Sequence, residues 1–293
     1  MPTDSRRVPG PDNTLQYYLY SKQKKTYEEC EKDLLSSENI RKDGRKPETP
    51  RKIYIKTGVV SQAKGSAYIE VGNTKVICSV FDPREIPNKS EFSVNGELYC
   101  EFKFATFSCK KRRNFVRDPE EKELSVSLKR ALEPAVCRHE FPNFQVDVYA
   151  LVLQNDGSAL AAAINCAGLA LADASVPMYD LVSAVSVAIH GESRLMDPTI
   201  EEENICSSVN PQVTGNRGLA TLSYLGNLKQ VTEFCQTGTM DSDIVIDVID
   251  LLETQVMEVY PVIQQSMVAK VQKHIKEKNQ EPMKHSRSTA GSV

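Results

Sequence analysis

Three short stretches hold the residues whose types and spacing could do chemistry. The first is a run of four consecutive cations between two aromatic residues, Phe107 and Phe115; the run consists of Lys110, Lys111, Arg112 and Arg113. Cations in a loop can contact successive phosphates of a nucleic acid, and each contact releases counterions. Taken alone, the run also fits a solvated loop or a charged patch that faces a protein partner.

The second stretch, 155–165, reads NDGSALAAAIN and passes from a turn into a predicted helix. Backbone N–H groups at a helix N-terminus, here with Gly157 and Ser158, can form an anion site. A working phosphate site would normally add a guanidinium, but the next three residues are Ala, Leu and Ala. The alternative is a plain helix cap made by Asp156 or Ser158.

The third stretch, 195–204, reads LMDPTIEEEN and follows a predicted strand. Its carboxylates are Asp197, Glu201, Glu202 and Glu203. Two carboxylates held together could bind Mg²⁺ or move a proton. A solvated acidic loop is the alternative.

Composition limits the classes of site and partner. The net charge is only −3, so a nucleic-acid partner must be met by local basic patches. The eight cysteines form no CxxC pair and there are four histidines, so we expect no zinc or other metal site and no cofactor. Without an apolar run of 18 residues or a secretory signal at the start, we expect no membrane partner. Cys78 and Cys166 lie inside apolar stretches as small core residues, which suggests a reducing compartment.

The elements that must position these residues follow from hydrophobic periodicity and turn signals. Gly72-Asn73 and Gly226-Asn227 each mark a hairpin. The helix after Ser158 is apolar on every side and should be buried on every side. The predicted strands are 52–60, 66–72, 74–81, 98–106, 144–154, 180–190, 218–225 and 228–236. The other predicted helices are 120–136, bent or broken at Pro134, and a long helix from Asp241-Ser242 to about Lys276, kinked at Pro261. This order predicts an α+β fold with an antiparallel-rich sheet and buried helices.

Several motifs occur together in an order that is typical of one family. They are DGR (43–45), GVVSQAKGSAYIEVGNTKVICSVFDPRE (58–85), the basic run after FATFS, LVLQNDGSALAAAINCAGLALADASVPMYDLV (151–182) and LMDPT (195–199). With them the chain resembles the RNase PH family, whose members degrade RNA from the 3′ end using phosphate. Within the family it is most similar to ring subunits of the eukaryotic RNA exosome, of the mRNA-transport-regulator type.

The resemblance implies an RNase PH-like fold of mixed sheets and buried helices, with βαβ elements like those of ribosomal proteins. It divides the chain into four parts. We expect an extended basic N-terminal arm over 1–40 and an RNase PH-like core of the first exoribonuclease-domain type over 41–192. A second RNase PH-like subdomain would cover 193–277, and a disordered tail 278–293.

The resemblance also implies that the family's pocket is degenerate here. Active members carry an Arg in the turn before the apolar helix, where it holds the attacking phosphate, and that position falls on Leu160. Of the two family Asp residues six apart, the first falls on Asp197. The second falls on Glu203, or on Asn204 with a one-residue shift. A family Arg that touches RNA falls on Arg112, which favours RNA contact by the basic run.

The expected function is therefore a non-catalytic structural subunit of the exosome ring that supports 3′–5′ RNA processing and decay and lines the path by which RNA enters. Its partners would be other RNase PH-like ring subunits, cap proteins and RNA, in the nucleus, nucleolus and cytoplasm. Sheet edges near 66–72 or 98–106 would need covering by partners. The rival functions are an active phosphate-dependent 3′–5′ exoribonuclease and a free RNA-binding module.

Overall fold

The computed structural model describes residues 29, 34–35, 40–86, 92–114, 116, 118–207 and 215–288. The strands are β1 (Ile53–Thr57), β2 (Gly65–Val71), β3 (Thr74–Glu85), β4 (Glu97–Phe104), β5 (Phe144–Gln154), β6 (Val182–His190), β7 (Ser193–Met196), β8 (Arg217–Leu225) and β9 (Gln230–Thr239). The helices are α1 (Pro119–Leu132), α2 (Ala159–Asp173), α3 (Ile200–Ser207) and α4 (Ser242–Ser288). This is the predicted α+β class.

The first sheet has the strand order β1-β2-β3-β5-β4. Its first four strands pair antiparallel, and the predicted Gly72-Asn73 turn joins β2 to β3 with Gly72 at a φ of 57°. β4 pairs parallel with β5, and α1 crosses between them as the expected βαβ element. α1 ends at Leu132, just before Pro134, as predicted. A short 3₁₀ turn follows it.

The second sheet is antiparallel, with the order β7-β6-β8-β9. β6 pairs with β8 along its whole length and with β7 over its last four residues, and it therefore belongs to this sheet. The boundary between the two sheets thus lies before Val182, whereas the sequence placed it after residue 192. The reason is physical: β6 completes its backbone hydrogen bonds with β8, a strand distant in sequence.

The apolar helix α2 lies between the two sheets. It contacts β2, β3 and β5 on one side and β6 and β8 on the other, and its residues 161–171 are all buried. The one polar side chain in that stretch, Asn165, donates to the Ala184 carbonyl at 2.9 Å and accepts from the Ala184 N–H at 2.7 Å. Burial on every side, predicted from composition, is confirmed, and Asn165 ties the helix to β6.

The sheet edges differ from the prediction. β2 (65–71) lies inside the first sheet, between β1 and β3, so it presents no edge. β4 is an edge strand, but α1 covers it: Ser125 Oγ and Glu121 Oε1 each accept a hydrogen bond at 2.9 Å, from the backbone N–H groups of Phe102 and Phe104. The expectation that partners must cover the edge near 66–72 is therefore wrong, because β2 is paired on both sides. On β4, α1 supplies acceptors for two of the edge N–H groups.

The long helix α4 packs on β6, β8 and β1. Val248, Leu252, Val256, Val259 and Ile263 are buried on the side of the helix that faces the core. The helix continues through Pro261 and reaches Ser288, inside the segment 278–293 that the sequence assigned to a disordered tail. At the start of that segment, Lys278, Gln280 and Glu281 are residues that favour helix. None of the described helices is long and apolar enough to cross a membrane.

Most of the predicted N-terminal arm, 1–40, lies outside the described residues. Where it is described, Leu34 is buried against Ala188, Leu195 and Cys206, and Leu35 forms a bridge with Arg41. The end of the predicted arm therefore packs on the outer side of the second sheet.

Substitution of Leu169 by Ala tests the position of α2 between the sheets. The Leu169 side chain is fully buried, so its truncation should leave a cavity and lower the free energy of unfolding by about 2–5 kcal/mol. Leu228→Ala, in the exposed β8–β9 turn, is the matched control and should change it by less than about 0.5 kcal/mol. Urea unfolding of the full chain measures both, and equal effects would contradict the placement.

Candidate functional site

The turn that leads into α2 has a backbone suited to an anion. Gly157 and Ser158 both have positive φ, 90° and 53°. A Cβ at Gly157 would lie 2.3 Å from the Pro198 carbonyl oxygen, so only glycine fits here. The Gly157 N–H donates to Asn155 Oδ1 at 3.1 Å, and the Ser158 N–H faces the segment after β7.

A carboxylate of the chain already occupies the space between the Ser158 N–H and the segment after β7. The Ser158 N–H donates to Glu203 Oε1 at 2.6 Å, and Ser158 Oγ donates to the Pro198 carbonyl at 3.2 Å. Ser158 is the residue before the first helical position, as predicted, but its side chain makes no capping hydrogen bond. The prediction of a plain helix cap made by Asp156 or Ser158 is therefore wrong. Glu203, from another helix, accepts the Ser158 N–H instead.

Asp197 is held by Arg51, which sequence analysis did not single out. Arg51 Nε donates to Asp197 Oδ2 at 2.7 Å and Arg51 Nη2 to Oδ1 at 2.6 Å; the Arg51 backbone N–H also donates to Oδ2, at 2.9 Å. Both side chains are buried. A side-on pair of this kind uses both carboxylate oxygens, so Asp197 is fully engaged inside the protein.

The same guanidinium fixes the turn. Arg51 Nη1 donates to the Asp156 carbonyl at 2.8 Å and Nη2 to the Gly157 carbonyl at 3.2 Å. Thr74 Oγ1, at the start of β3, also donates to the Gly157 carbonyl, at 2.7 Å. The pairing of a residue before β1 with a turn more than a hundred residues later has no local signal, which explains why sequence patterns missed Arg51.

The pKa directions follow from these contacts. Burial opposes the charge on Asp197, but the hydrogen bonds and charge of Arg51 outweigh it and hold the pKa of Asp197 below its ordinary value. Burial raises the pKa of Glu203 to about 7, against the lowering effects of the Ser158 N–H and Arg51. Glu203 is therefore the one of the two acids that can hold a proton near neutral pH.

The acidic cluster is a helix start and not a solvated loop. Glu201, Glu202 and Glu203 form the first turn of α3, where negative charge is favourable. Glu202 accepts from the Thr199 N–H at 2.8 Å and lies 3.6 Å from buried Arg41. Each of the four carboxylates of the cluster thus has a separate partner, and among the described residues no group of acidic, Cys and His side chains could hold a metal.

Of the remaining predicted pocket residues, Leu160 lies in the first turn of α2, half-buried against the main core. Glu203 faces the turn, whereas Asn204 is exposed. The geometry therefore brings Leu160, Asp197 and Glu203 to the same turn.

The basic run divides into two pairs. Arg113 stacks on the Phe104 ring at 4.1 Å and binds Glu120 at 2.9 Å, and Lys110 binds Glu201 at 2.8 Å. Lys111 and Arg112 are exposed, and no ion pair involves them within the described part of the chain. Phe115 lies outside the described residues.

The basic run and the turn lie at the same end of the fold. The Asn155 N–H donates to the Ser108 carbonyl at 2.9 Å, and the Ala105 N–H donates to the Val152 carbonyl at 2.9 Å. The loop after β4 is therefore hydrogen-bonded to the end of β5, directly before the turn.

Comparison with protein families agrees with this arrangement. Residues 49–177 match domain 1 of the 3′ exoribonuclease family, and residues 180–251 match domain 2. The chain belongs to the 3′ exoribonuclease family. The border between the two matches falls just before β6, where the second sheet begins.

Relatives in this family include exosome components. The chain is 34% identical to the exosome complex component MTR3 of Homo sapiens over 285 residues, 92% of this chain and 96% of that protein. It is 34% identical to MTR3 of Mus musculus over 286 residues, with the same coverage. It is 36% identical over 211 residues to the exosome complex component Rrp41 of Cenarchaeum symbiosum, 72% of this chain and 83% of that protein.

Solved structures show the same fold. A chain of the Archaeoglobus fulgidus exosome, solved with RNA bound to the active site, superposes with a TM-score of 0.68 at 21% identity, over 80% of this chain and 95% of that one. Rice (Oryza sativa) Rrp46 superposes with a TM-score of 0.64 at 24% identity, over 76% of this chain and 98% of that one. The RNase PH-like fold is therefore established.

The pH dependence of stability tests the burial of Glu203. The folded chain holds this proton up to about pH 7, whereas a free Glu loses it near 4.5, so stability should fall as pH rises between those values. Glu203→Gln keeps the acceptor for Ser158 and removes the charge. From pH 5 to pH 8, the free energy of unfolding should fall by roughly 1–3 kcal/mol less in this variant than in the wild type. Urea unfolding at the two pH values measures the difference.

Glu192→Gln, at an exposed position, is the control and should leave the profile of the wild type unchanged. A Glu203→Gln profile that follows the wild type would show that this carboxylate ionises freely in the folded chain.

Proposed function

We propose that the protein is a non-catalytic structural subunit of an RNA exosome ring, where it supports 3′–5′ RNA processing and decay. The observation that carries the proposal is the filled turn: Glu203 accepts the Ser158 N–H, and Arg51 engages both oxygens of Asp197. The relatives named as exosome complex components support the assembly.

Three groups support the proposal that the chain is not catalytic. Phosphorolysis needs a bound phosphate nucleophile held near a proton donor. Leu160 can neither donate a hydrogen bond nor carry the charge that the resemblance assigns to this position. Glu203 already occupies the acceptor position at the Ser158 N–H that a phosphate would need. An Asp whose pKa is lowered by a bidentate Arg is a poor acid at neutral pH. For the alternative, an active phosphate-dependent exoribonuclease, Leu160 leaves the position that the resemblance assigns to the phosphate-binding Arg without a cation.

Ring assembly is supported by the second sheet. β9 is an edge strand with mostly exposed residues, and its only ladder partner within the described chain is β8. Exposed backbone groups along a ten-residue edge suit pairing with a neighbouring subunit.

On the outer face of the first sheet, Tyr149 packs edge-on against Phe81 and Tyr99, with ring centroids 5.7 and 6.1 Å apart, and Phe81 is 38% exposed. This aromatic face suits a ring or cap subunit.

Contact with RNA is supported by Lys111 and Arg112, which project from the loop beside the filled turn. Contacts of this kind go to phosphates and carry little sequence preference. The proposed places of action are the nucleus, including the nucleolus, and the cytoplasm, where exosome substrates occur.

Copurification followed by an activity assay tests the proposal. Affinity-tagged full chain should bring down a roughly stoichiometric set of similar-sized subunits. Neither the chain alone nor a complex in which only this subunit keeps its wild-type pocket should release nucleoside diphosphates from RNA and inorganic phosphate. Loss of a bidentate charged contact that acts in the transition state costs on the order of 10²–10⁴ in rate.

An active member of the same family, assayed in parallel, controls for RNA and phosphate quality. Release of nucleoside diphosphates by the wild-type chain, unchanged in Leu160→Arg, would show that the pocket lies elsewhere. A monomeric chain that copurifies with no subunits and binds RNA tightly alone would favour the free RNA-binding module instead.

A further inference from the structure

The fold brings together two lysines that are far apart in sequence. Lys42 precedes β1 and Lys110 lies in the loop after β4, yet both bind Glu201 in the first turn of α3. Lys42 Nζ lies 2.6 Å from Glu201 Oε2, and Lys110 Nζ lies 2.8 Å from Glu201 Oε1. Because one carboxylate holds both ammonium groups, the two lysines lie side by side.

We propose that Lys42 joins Lys110, Lys111 and Arg112 in one surface that binds the phosphodiester backbone of single-stranded RNA, and that Glu201 is the counter-ion that this backbone displaces. The proposal rests on the proposed function, because the basic loop of the same subunit forms the centre of the surface. Beyond the proposed function, Lys42 is a cation from outside the loop, and Glu201 is a residue that weakens RNA binding.

Exposure separates these cations from their neighbours. The side chains of Lys42 and Lys110 are 65% and 77% exposed. Arg41, by contrast, is buried and donates to the Met196 carbonyl at 2.6 Å, and Arg45 is held by Asp43 at 2.6 Å. Among the cations of the described residues 41–46, only Lys42 shares an acceptor, Glu201, with a residue of the basic loop.

Charge favours an anionic strand as the occupant. The four cations and Glu201 together carry three net positive charges, which can neutralise successive phosphates. Lys side chains are flexible point charges without a fixed fork, so they suit backbone contact more than recognition of a single group. Both ion pairs of Glu201 are exposed, and exposed pairs are weak enough for phosphate to replace them.

An exposed aromatic residue favours an unpaired strand over a duplex. Phe107 is 69% exposed in the same loop, three residues before Lys110. Single-stranded nucleic acids are bound by cationic surfaces that carry aromatic rings on which bases stack, and bases in a duplex are not available for this. Phe107 therefore gives the surface a stacking position beside its cations.

Glu201 should act as a constant competitor near neutral pH. Hydrogen bonds from Lys110 and then Lys42 lower the pKa of Glu201 to about 2, so its carboxylate is ionised throughout the physiological range. Removal of that charge frees both lysines without changing the number of cations.

Photocrosslinking of a single-stranded RNA to this subunit in the assembled complex tests the proposal, at several KCl concentrations. Lys42→Gln should raise the half-saturating RNA concentration about two- to fivefold. It should also reduce the slope of log K against log salt by about 0.7, the contribution of one phosphate contact. Glu201→Gln should lower the half-saturating concentration about two- to fivefold, and Lys42→Arg should retain wild-type binding.

The Arg194–Asp247 pair supplies matched controls, because it is also an ion pair between partly or fully exposed side chains. Arg194→Gln and Asp247→Asn make the same charge changes away from the surface and should leave crosslinking unchanged. Effects of the same size in these controls would overturn the proposal.

The loop variant Lys111→Gln/Arg112→Gln separates this inference from the proposed function. If it weakens crosslinking while Lys42→Gln and Glu201→Gln behave as wild type, the extended surface is wrong and the loop contact stands. If the loop variant is also silent in an intact complex, RNA contact by this subunit is wrong altogether. Loss of subunits from the complex in Lys42→Gln would assign the surface to a protein interface and overturn the inference.

Discussion

The buried ion pair between Arg51 and Asp197 is the interaction on which the rest of the site depends. It joins the segment before β1 to the segment after β7, and through the Asp156 and Gly157 carbonyls it also fixes the turn before α2. Removal of one partner of such a pair leaves an uncompensated buried charge and typically costs about 3–5 kcal/mol. The same contact that holds three segments together therefore also occupies the carboxylate that the family resemblance assigns to chemistry.

Around this pair, the chain has the architecture of an anion site with an internal occupant. Gly157 and Ser158 have positive φ values, and Glu203 accepts the Ser158 N–H while Asn155 accepts the Gly157 N–H. The position expected to hold a guanidinium is Leu160, which packs on the core. Glu203 therefore takes the acceptor position that an anion would need, while Arg51 holds the turn through its carbonyls.

Much of the fold could be predicted from sequence because it depends on local patterns. The hairpin at Gly72-Asn73, the end of α1 before Pro134 and the burial of the all-apolar helix α2 follow from turn chemistry and periodicity. The sheet to which β6 belongs, and the protection of the β4 edge by Ser125 and Glu121, depend on pairings between distant segments. Periodicity carries no information about such pairings.

The site shows the same division. Leu160, Asp197 and Glu203 were located by motif order, but their partners were not: Arg51 sits in no motif, and nothing links Lys42 to Lys110 until Glu201 is placed between them. Motif order identifies the positions that a family uses, whereas the contacts made by the residues at those positions arise only in the folded chain.

The most direct test of the central claim is a crystal structure of the protein determined in a high concentration of inorganic phosphate. The filled site predicts density for the Glu203 carboxylate at the Ser158 N–H and for Arg51 against both oxygens of Asp197, with no phosphate at the turn. A phosphate that accepts the Ser158 N–H, with Glu203 displaced and another cation of the chain beside it, would contradict the account.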